Sequence, residues 1–505
     1  MSSESENCRG RERVWSILVG VFFVMAVWPL WSARFPAMQD YPQHLFQTEV
    51  LHSYNNPAFD YRRYFVLHVD PVYLGFFLPA YLLSQVLPIE IAGKISLSIY
   101  PLLIAILVLR LGRRKQDMLP WGALLFFPLA CNQVYYLGFL NYFLALPLLF
   151  LALLDFDDYI ASPLGKWSMC RQLLWMLAVF TTHPLVFDIY VSFAAVAALM
   201  ARRRSSEFKF KTVAMFGAAL LLLAASWLIG KLSPAAESAG TSGMTWLPIR
   251  DSVSFFAMMF DGMHDIAKPD FVQLSLWGCV LAVVVGALVA DKRKAGFPIR
   301  HVIFLALSIL AFVVLPFGIG SFTYINVRIA PIVYFFGALL VAEGVRFRGW
   351  WLYLLIALTG LCMVGSAVKQ GRISAETNEV LPIVRAIPPN SRILPLVFDN
   401  GSPELDRSFF TFHAHDHDYY HSLVGGGFDP YLLRAPLHPV RYRPGQMRPA
   451  PGQFEAYQFF QHDYSADYQY FLVRGMPAGW DRYMLYGSDK VCVSGSWELF
   501  KRKAH

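Results

Sequence analysis

Apolar and polar stretches alternate along this chain with a period too long for a soluble fold. Apolar runs of about 20 residues, the length that spans a bilayer as a helix, fall at 14–33, 89–111, 212–230, 271–290, 299–318 and 350–368. Shorter or proline-interrupted runs lie at 118–133, 136–154, 171–183, 184–201 and 328–344. One run, 72–87, is ambiguous, with Pro79 in its middle and Pro88 at its end.

Basic clusters separate the runs: Arg9/Arg11/Arg13, Arg110/Arg113/Arg114/Lys115, Arg202/Arg203/Arg204 with Lys209/Lys211, Lys292/Arg293/Lys294 and Arg346/Arg348. Cytoplasmic loops carry excess Lys and Arg, so an even number of crossings should separate each cluster from the next. That parity holds if 72–87 lies along the outer interface as a juxtamembrane helix. The pattern predicts an α-helical polytopic membrane protein with about eleven transmembrane helices, N-terminus cytoplasmic and C-terminus extracytoplasmic. Residues 1–368 form the transmembrane domain, with a large first outer loop at 34–88. Residues 369–505 turn polar, Pro-rich and aromatic, and predict a small α/β domain. Its expected elements are a helix over 377–386 and strands over 392–398, 468–473 and 497–500, with 431–451 a loop.

Composition sharpens this picture. Of 505 residues, 56% are hydrophobic and 15% charged, and mean hydropathy is +0.43, against roughly a quarter charged in soluble domains. The net charge of +8 follows from the basic loops and does not indicate nucleic acid. Six scattered cysteines without a CxxC pair indicate neither a disulfide framework nor a zinc site. No small-residue cleavage site follows the first run, which reads as an uncleaved first helix. The short cytoplasmic loops contain neither GxxxxGK[ST] nor GxGxxG, so no nucleotide site is expected there.

The polar features gather on the predicted outer face. Asp40 lies in Phe35-Pro36-Ala37-Met38-Gln39-Asp40-Tyr41-Pro42-Gln43-His44-Leu45, directly after the first run. Two prolines stiffen that turn. Asp40 reads either as a solvated loop aspartate or as a carboxylate fixed for chemistry. His44 is four residues on and reads, with Asp40, as a general-base pair or half a metal site, or else as an interface histidine capping the amphipathic segment. His183-Pro184 breaks an apolar stretch next to Thr181-Thr182, with Asp188 in the following segment. Polar groups at such depth are costly and often functional; a helix-turn histidine bonded to a carbonyl is the plain alternative. Arg328 suits a phosphate at headgroup depth or simple snorkelling. His413, His415, Asp416, His417, Asp418 and His421 crowd together. Extended, the HxHxH spacing faces one way and suits a metal; a polar helix on the outer domain is the preferred reading. No GxSxG, SxxK or HExxH supports a hydrolase.

The layout resembles the GT-C superfamily of polytopic glycosyltransferases. The resemblance rests on one helix followed by a large outer loop with an early acid, on Asp40-Tyr41-Pro42-Gln43-His44-Leu45, on Tyr136-Leu137-Gly138-Phe139-Leu140-Asn141-Tyr142, on the His183-Pro184 break and on a C-terminal outer domain. It implies inverting transfer of a sugar from a polyprenyl-phosphate donor to a glycan, lipid or protein acceptor in the cell (inner) membrane. It implies Asp40 as the base or orienting carboxylate, and the donor phosphate against an outer cation such as Arg328. His44 and His183 are expected to bind substrate. The chain departs from the family where a second outer-loop carboxylate is common, since Asn132 and Asn141 flank that region. No cofactor is expected; a divalent metal is possible but not supported, and the missing acid argues against a metal-assisted mechanism. A lipid-linked glycan transporter or flippase, or a non-catalytic scaffold of the same fold, are the competing readings.

Overall fold

The computed structural model describes residues 2–68, 70–114, 119–161, 167–201, 206–232, 243–260, 270–291, 297–320, 323–405, 411–433, 437–462 and 464–503. Lys115, Arg202–Arg204 and Lys292–Lys294, which carry part of the basic-cluster argument, lie outside these residues, as do 233–242 and 261–269 between the runs 212–230 and 271–290.

Helices occupy each of the predicted apolar runs. Five are long and apolar enough to cross a membrane: Gly10–Trp31, Ile89–Arg114, Phe208–Ala225, Phe271–Ala290 and Trp350–Arg385. Pro184–Met200, Ile299–Val314 and Ile329–Gly344 are shorter apolar helices. Their outward faces carry large apolar side chains such as Trp28, Leu220, Leu221 and Val313, each more than half exposed. An apolar belt of that extent suits lipid rather than water. The run expected at 118–133 forms a tight 3-10 helix, Trp121–Cys131. Pro128 lies inside it and has no N–H to bond. The ambiguous run shortens to Phe77–Ser84, eight residues packed on Tyr41–Ser53 and Ile89–Arg114 and too short to span.

Aromatic rings fill the bundle. Phe150 stacks on Phe335 at 4.6 Å, and Trp15 meets Trp121 edge-on at 5.4 Å. At the far end from Asp40, Asp155 is 2% exposed. It takes Arg110 Nη2 at 2.9 Å and Arg171 Nε at 2.8 Å, so its buried charge is paired.

The C-terminal region is a small mixed sheet. Its strand order is Ile393–Val397, Tyr470–Arg474, Trp497–Arg502, Ser488–Ser494. The first pair is parallel and the others antiparallel. The edge strand Ser488–Ser494 was not expected; its faces are mostly exposed, so it carries little apolar signal. Helix Trp350–Thr377 runs on through residue 368, and the helix expected over 377–386 becomes a 3-10 turn, Asn378–Val380, and Leu381–Arg385.

The first loop and the C-terminal region are interleaved. Phe65–Leu67 pairs antiparallel with Val440–Tyr442, inside the stretch expected to be loop. Phe46, Val50, Tyr61, Tyr64 and Phe65 share one core with Leu394, Leu396, Phe428 and Val473.

Candidate functional site

The Phe35–Asp40 segment is held by backbone bonds along both sides. Ala37 N donates to Ser374 Oγ at 2.9 Å, Gln370 Nε2 donates to Ala37 O at 2.8 Å, and Phe35 N donates to Asn378 Oδ1 at 3.2 Å. Phe35 stacks on Tyr419 at 3.9 Å. Pro42 then sits in the first turn of helix Tyr41–Ser53, where a missing N–H costs nothing, and Asp40 is the residue before that helix.

Asp40 is a largely buried carboxylate, its side chain 15% exposed. Burial pushes its carboxyl up, while His415, a bond from Gln39 and the charge of Arg328 pull the other way. His415 Nε2 stands 3.6 Å from Asp40 Oδ1. His44 does not pair with that carboxylate. Its Nδ1 bonds the main-chain oxygen of Asp40 at 2.8 Å, because helical geometry brings residue i+4 to the carbonyl of residue i. The ring stacks on Phe77 at 5.2 Å and lies 5.6 Å from His438. Burial lowers His44 to about 4, so it is neutral.

One short segment touches Asp40, Arg328 and His183 in turn. Gly138, at φ +94°, lies so close that a Cβ there would stand 2.7 Å from Asp40 Cβ. Gln39 N donates to Tyr136 O at 2.9 Å beside it. The Phe139 ring lies under the Arg328 guanidinium at 4.3 Å. Asn141 Oδ1 accepts Phe76 N at 2.7 Å. Tyr142 packs edge-on against His183 at 5.4 Å, and its hydroxyl donates to the carbonyl oxygen of Arg328.

Arg328 precedes helix Ile329–Gly344 and donates from Nη1 to Thr323 O at 2.8 Å. Its Nε is buried without a hydrogen-bond partner among the described residues. Asp40 and Arg328 sense each other's charge but form no ion pair. His183 is extended (φ −160°, ψ 125°) between Ser168–Thr182 and Pro184–Met200, and its Nδ1 is likewise buried and unbonded. Asp188 is exposed on the outside of its helix and joins none of these groups.

The histidine cluster is not a polar outer helix. It is a buried 3-10 turn, Asp416–Asp418, leading into Tyr419–Leu423. Nor do its rings converge. His413 bonds Asp416 at 2.6 Å, His415 faces Asp40, and His421 bonds Gly426 O at 2.9 Å and stacks on Phe46 at 4.0 Å. His417, Asp418 and the more distant Asp429 bring one ligand-type atom each within 4.8 Å of one another. The sequence reading missed Asp429, Gln43 and His438. Asp429 follows three glycines with positive φ, and only that turn hints that the chain folds back there.

Glu49, one turn further along Tyr41–Ser53, accepts Ser53 Oγ at 2.6 Å. Burial pushes its carboxyl up to about 7 from an ordinary 4.5. The folded chain therefore holds this proton where the unfolded chain has lost it, and stability falls as pH rises from about 4.5 through about 7. Glu49→Gln is expected to flatten that slope and to raise the melting temperature above it, read by thermal melts across pH. An unchanged slope would remove Glu49 as its source.

No family model and no curated protein matches this chain.

Proposed function

We propose that this protein is an integral membrane glycosyltransferase. It moves a sugar from a polyprenyl-phosphate donor to an extracytoplasmic acceptor. The bundle crosses the membrane about eleven times with the N-terminus cytoplasmic, and the C-terminal region covers the site on the outer side.

The observation that carries this reading is the segment Gly138–Tyr142. It packs against Asp40, Arg328 and His183 at once. Inverting transfer to a hydroxyl needs a carboxylate for the acceptor proton and a cation for the departing phosphate. Here the two stand in one largely buried neighbourhood without neutralising each other as an ion pair. Asp40 takes the acceptor proton as the acceptor oxygen bonds the anomeric carbon. The bond from that carbon to the phosphate oxygen breaks, and the phosphate leaves with the electron pair. Arg328, with its unbonded Nε, meets the charge that develops. A phosphate leaving group needs no general acid at neutral pH, so the missing second carboxylate does not prevent the reaction.

The test is transfer of labelled sugar from membrane-extracted polyprenyl-phosphate donors to membrane acceptors by the purified, folded protein. Transfer supports the proposal. Retention of the donor lipid without transfer under any donor would replace it with the transporter or scaffold reading.

A further inference from the structure

The group His417, Asp418 and Asp429 is separated from Asp40 by the imidazole of His415, and its arrangement is unusual for a polar core. All three side chains are buried, at 3%, 0% and 1% exposure. Two carboxylates side by side out of water repel each other and lose their hydration.

Their orientation is set from behind. Gln43 Oε1 accepts Leu433 N at 3.0 Å, which turns its amide nitrogen toward the acids. That nitrogen donates to Asp418 Oδ2 and, at 2.9 Å, to Asp429 Oδ2. The two Oδ2 atoms are thereby tied back, and both Oδ1 atoms face His417 Nε2, at 3.4 Å from Asp418 and 3.3 Å from Asp429. Asp418 Oδ1 is buried with no hydrogen-bond partner among the described residues. Asp429 Oδ1 is steadied by Tyr431 N at 2.8 Å.

Two of the three ligand–ligand distances match those of a coordination shell, the 3.3 Å one also serving as a His417–Asp429 hydrogen bond, and the third lies within 4.8 Å. A tetrahedral ion with bonds of about 2.0–2.1 Å has ligand–ligand edges of about 3.3–3.4 Å. One imidazole and two carboxylates suit a borderline divalent cation, and three protein ligands leave a fourth position for water or substrate. We propose that His417 Nε2, Asp418 Oδ1 and Asp429 Oδ1 form a zinc-class divalent cation site, with Gln43 the positioning residue behind both carboxylates. His415 joins it to Asp40, with Nδ1 3.7 Å from Asp418 and Nε2 3.6 Å from Asp40. The site does not depend on the glycosyltransferase reading, since its chemistry is complete without a sugar.

The experiment titrates Zn²⁺ into full-length, chelator-stripped protein in detergent against a chromophoric competitor, with melting temperature followed in parallel. The expected result is about one Zn²⁺ per chain and a raised melting temperature. Asp418→Asn and Asp429→Asn should each weaken binding by about a hundredfold or more, and Gln43→Ala by about tenfold. Absence of Zn²⁺ uptake by the wild type, or unchanged affinity in both Asn variants, overturns the site and leaves a hydrogen-bonded cluster only. Should both variants fail to fold, X-ray absorption on the wild type decides. One imidazole with oxygen neighbours at about 2.0–2.2 Å supports the site, whereas thiolate or several imidazoles overturn it.

Discussion

Asp40→Asn is expected to lower sugar transfer by about two to four orders of magnitude, the usual contribution of a positioned base. The amide is nearly the same shape but cannot accept a proton. The main-chain bonds that hold the segment, from Ala37 to Ser374 and from Gln39 to Tyr136, do not involve the carboxylate. Melting temperature and donor binding should therefore hold. The pH profile provides a second reading. In the proposed reaction the base works ionised, so wild-type transfer is expected to rise with pH. Because burial is the largest influence on this carboxyl, the inflection lies above the ordinary 3.8. Undiminished transfer by the variant, in protein that melts like the wild type, would remove Asp40 from the chemistry.

Gly138→Ala is expected to destabilise the protein by about 2–5 kcal/mol, from a strained backbone and overpacking together. At φ +94° an L side chain is disfavoured before any contact is considered. The added methyl would then stand 2.7 Å from Asp40 Cβ and 2.8 Å from Asp40 N. Neither is the far end of a flexible side chain, so relief requires the backbone to part. That parting moves Asp40 away from Arg328, and transfer should fall even in the folded fraction. Thermal melts and transfer per folded molecule measure the two effects separately. A variant that melts and turns over as the wild type does would show that this close approach is not required.

The helical bundle was legible because long apolar runs are a one-dimensional signal. The strands Ile393–Val397 and Tyr470–Arg474 were legible for a similar reason, being buried throughout and apolar or aromatic but for Arg474, and Trp497–Arg502 through its buried Trp497, Leu499 and Phe500. The proline-stiffened turn at Asp40 was visible too, but its surroundings were not. His44 looked like the partner of Asp40 because it is four residues away, yet helix geometry gives it to the carbonyl. The imidazole that approaches the carboxylate is His415, which no local pattern could connect to it. The same holds for Gln43 and Asp429, 386 residues apart and 2.9 Å from each other's polar atoms. Contacts of that span are set by tertiary packing, and a sequence shows only that candidate groups exist. The histidine cluster illustrates the converse, since its crowding in sequence was read as a polar outer helix, with one metal site as the lesser alternative, while its buried rings serve several partners.

The interleaving of the first loop with the C-terminal region has a consequence for biogenesis. Gln43 must wait for Asp429, 386 residues later. At roughly 5–20 residues per second of synthesis, that delay is about 20–80 s. Throughout it the aromatic face of Tyr41–Ser53 and the strand Phe65–Leu67 lack the partners that later enclose them. The nascent chain therefore carries an unpaired strand edge and an unfinished apolar surface from early in its production, the features that attract chaperones and invite misassembly. Any truncation before Val440 leaves that early segment permanently incomplete.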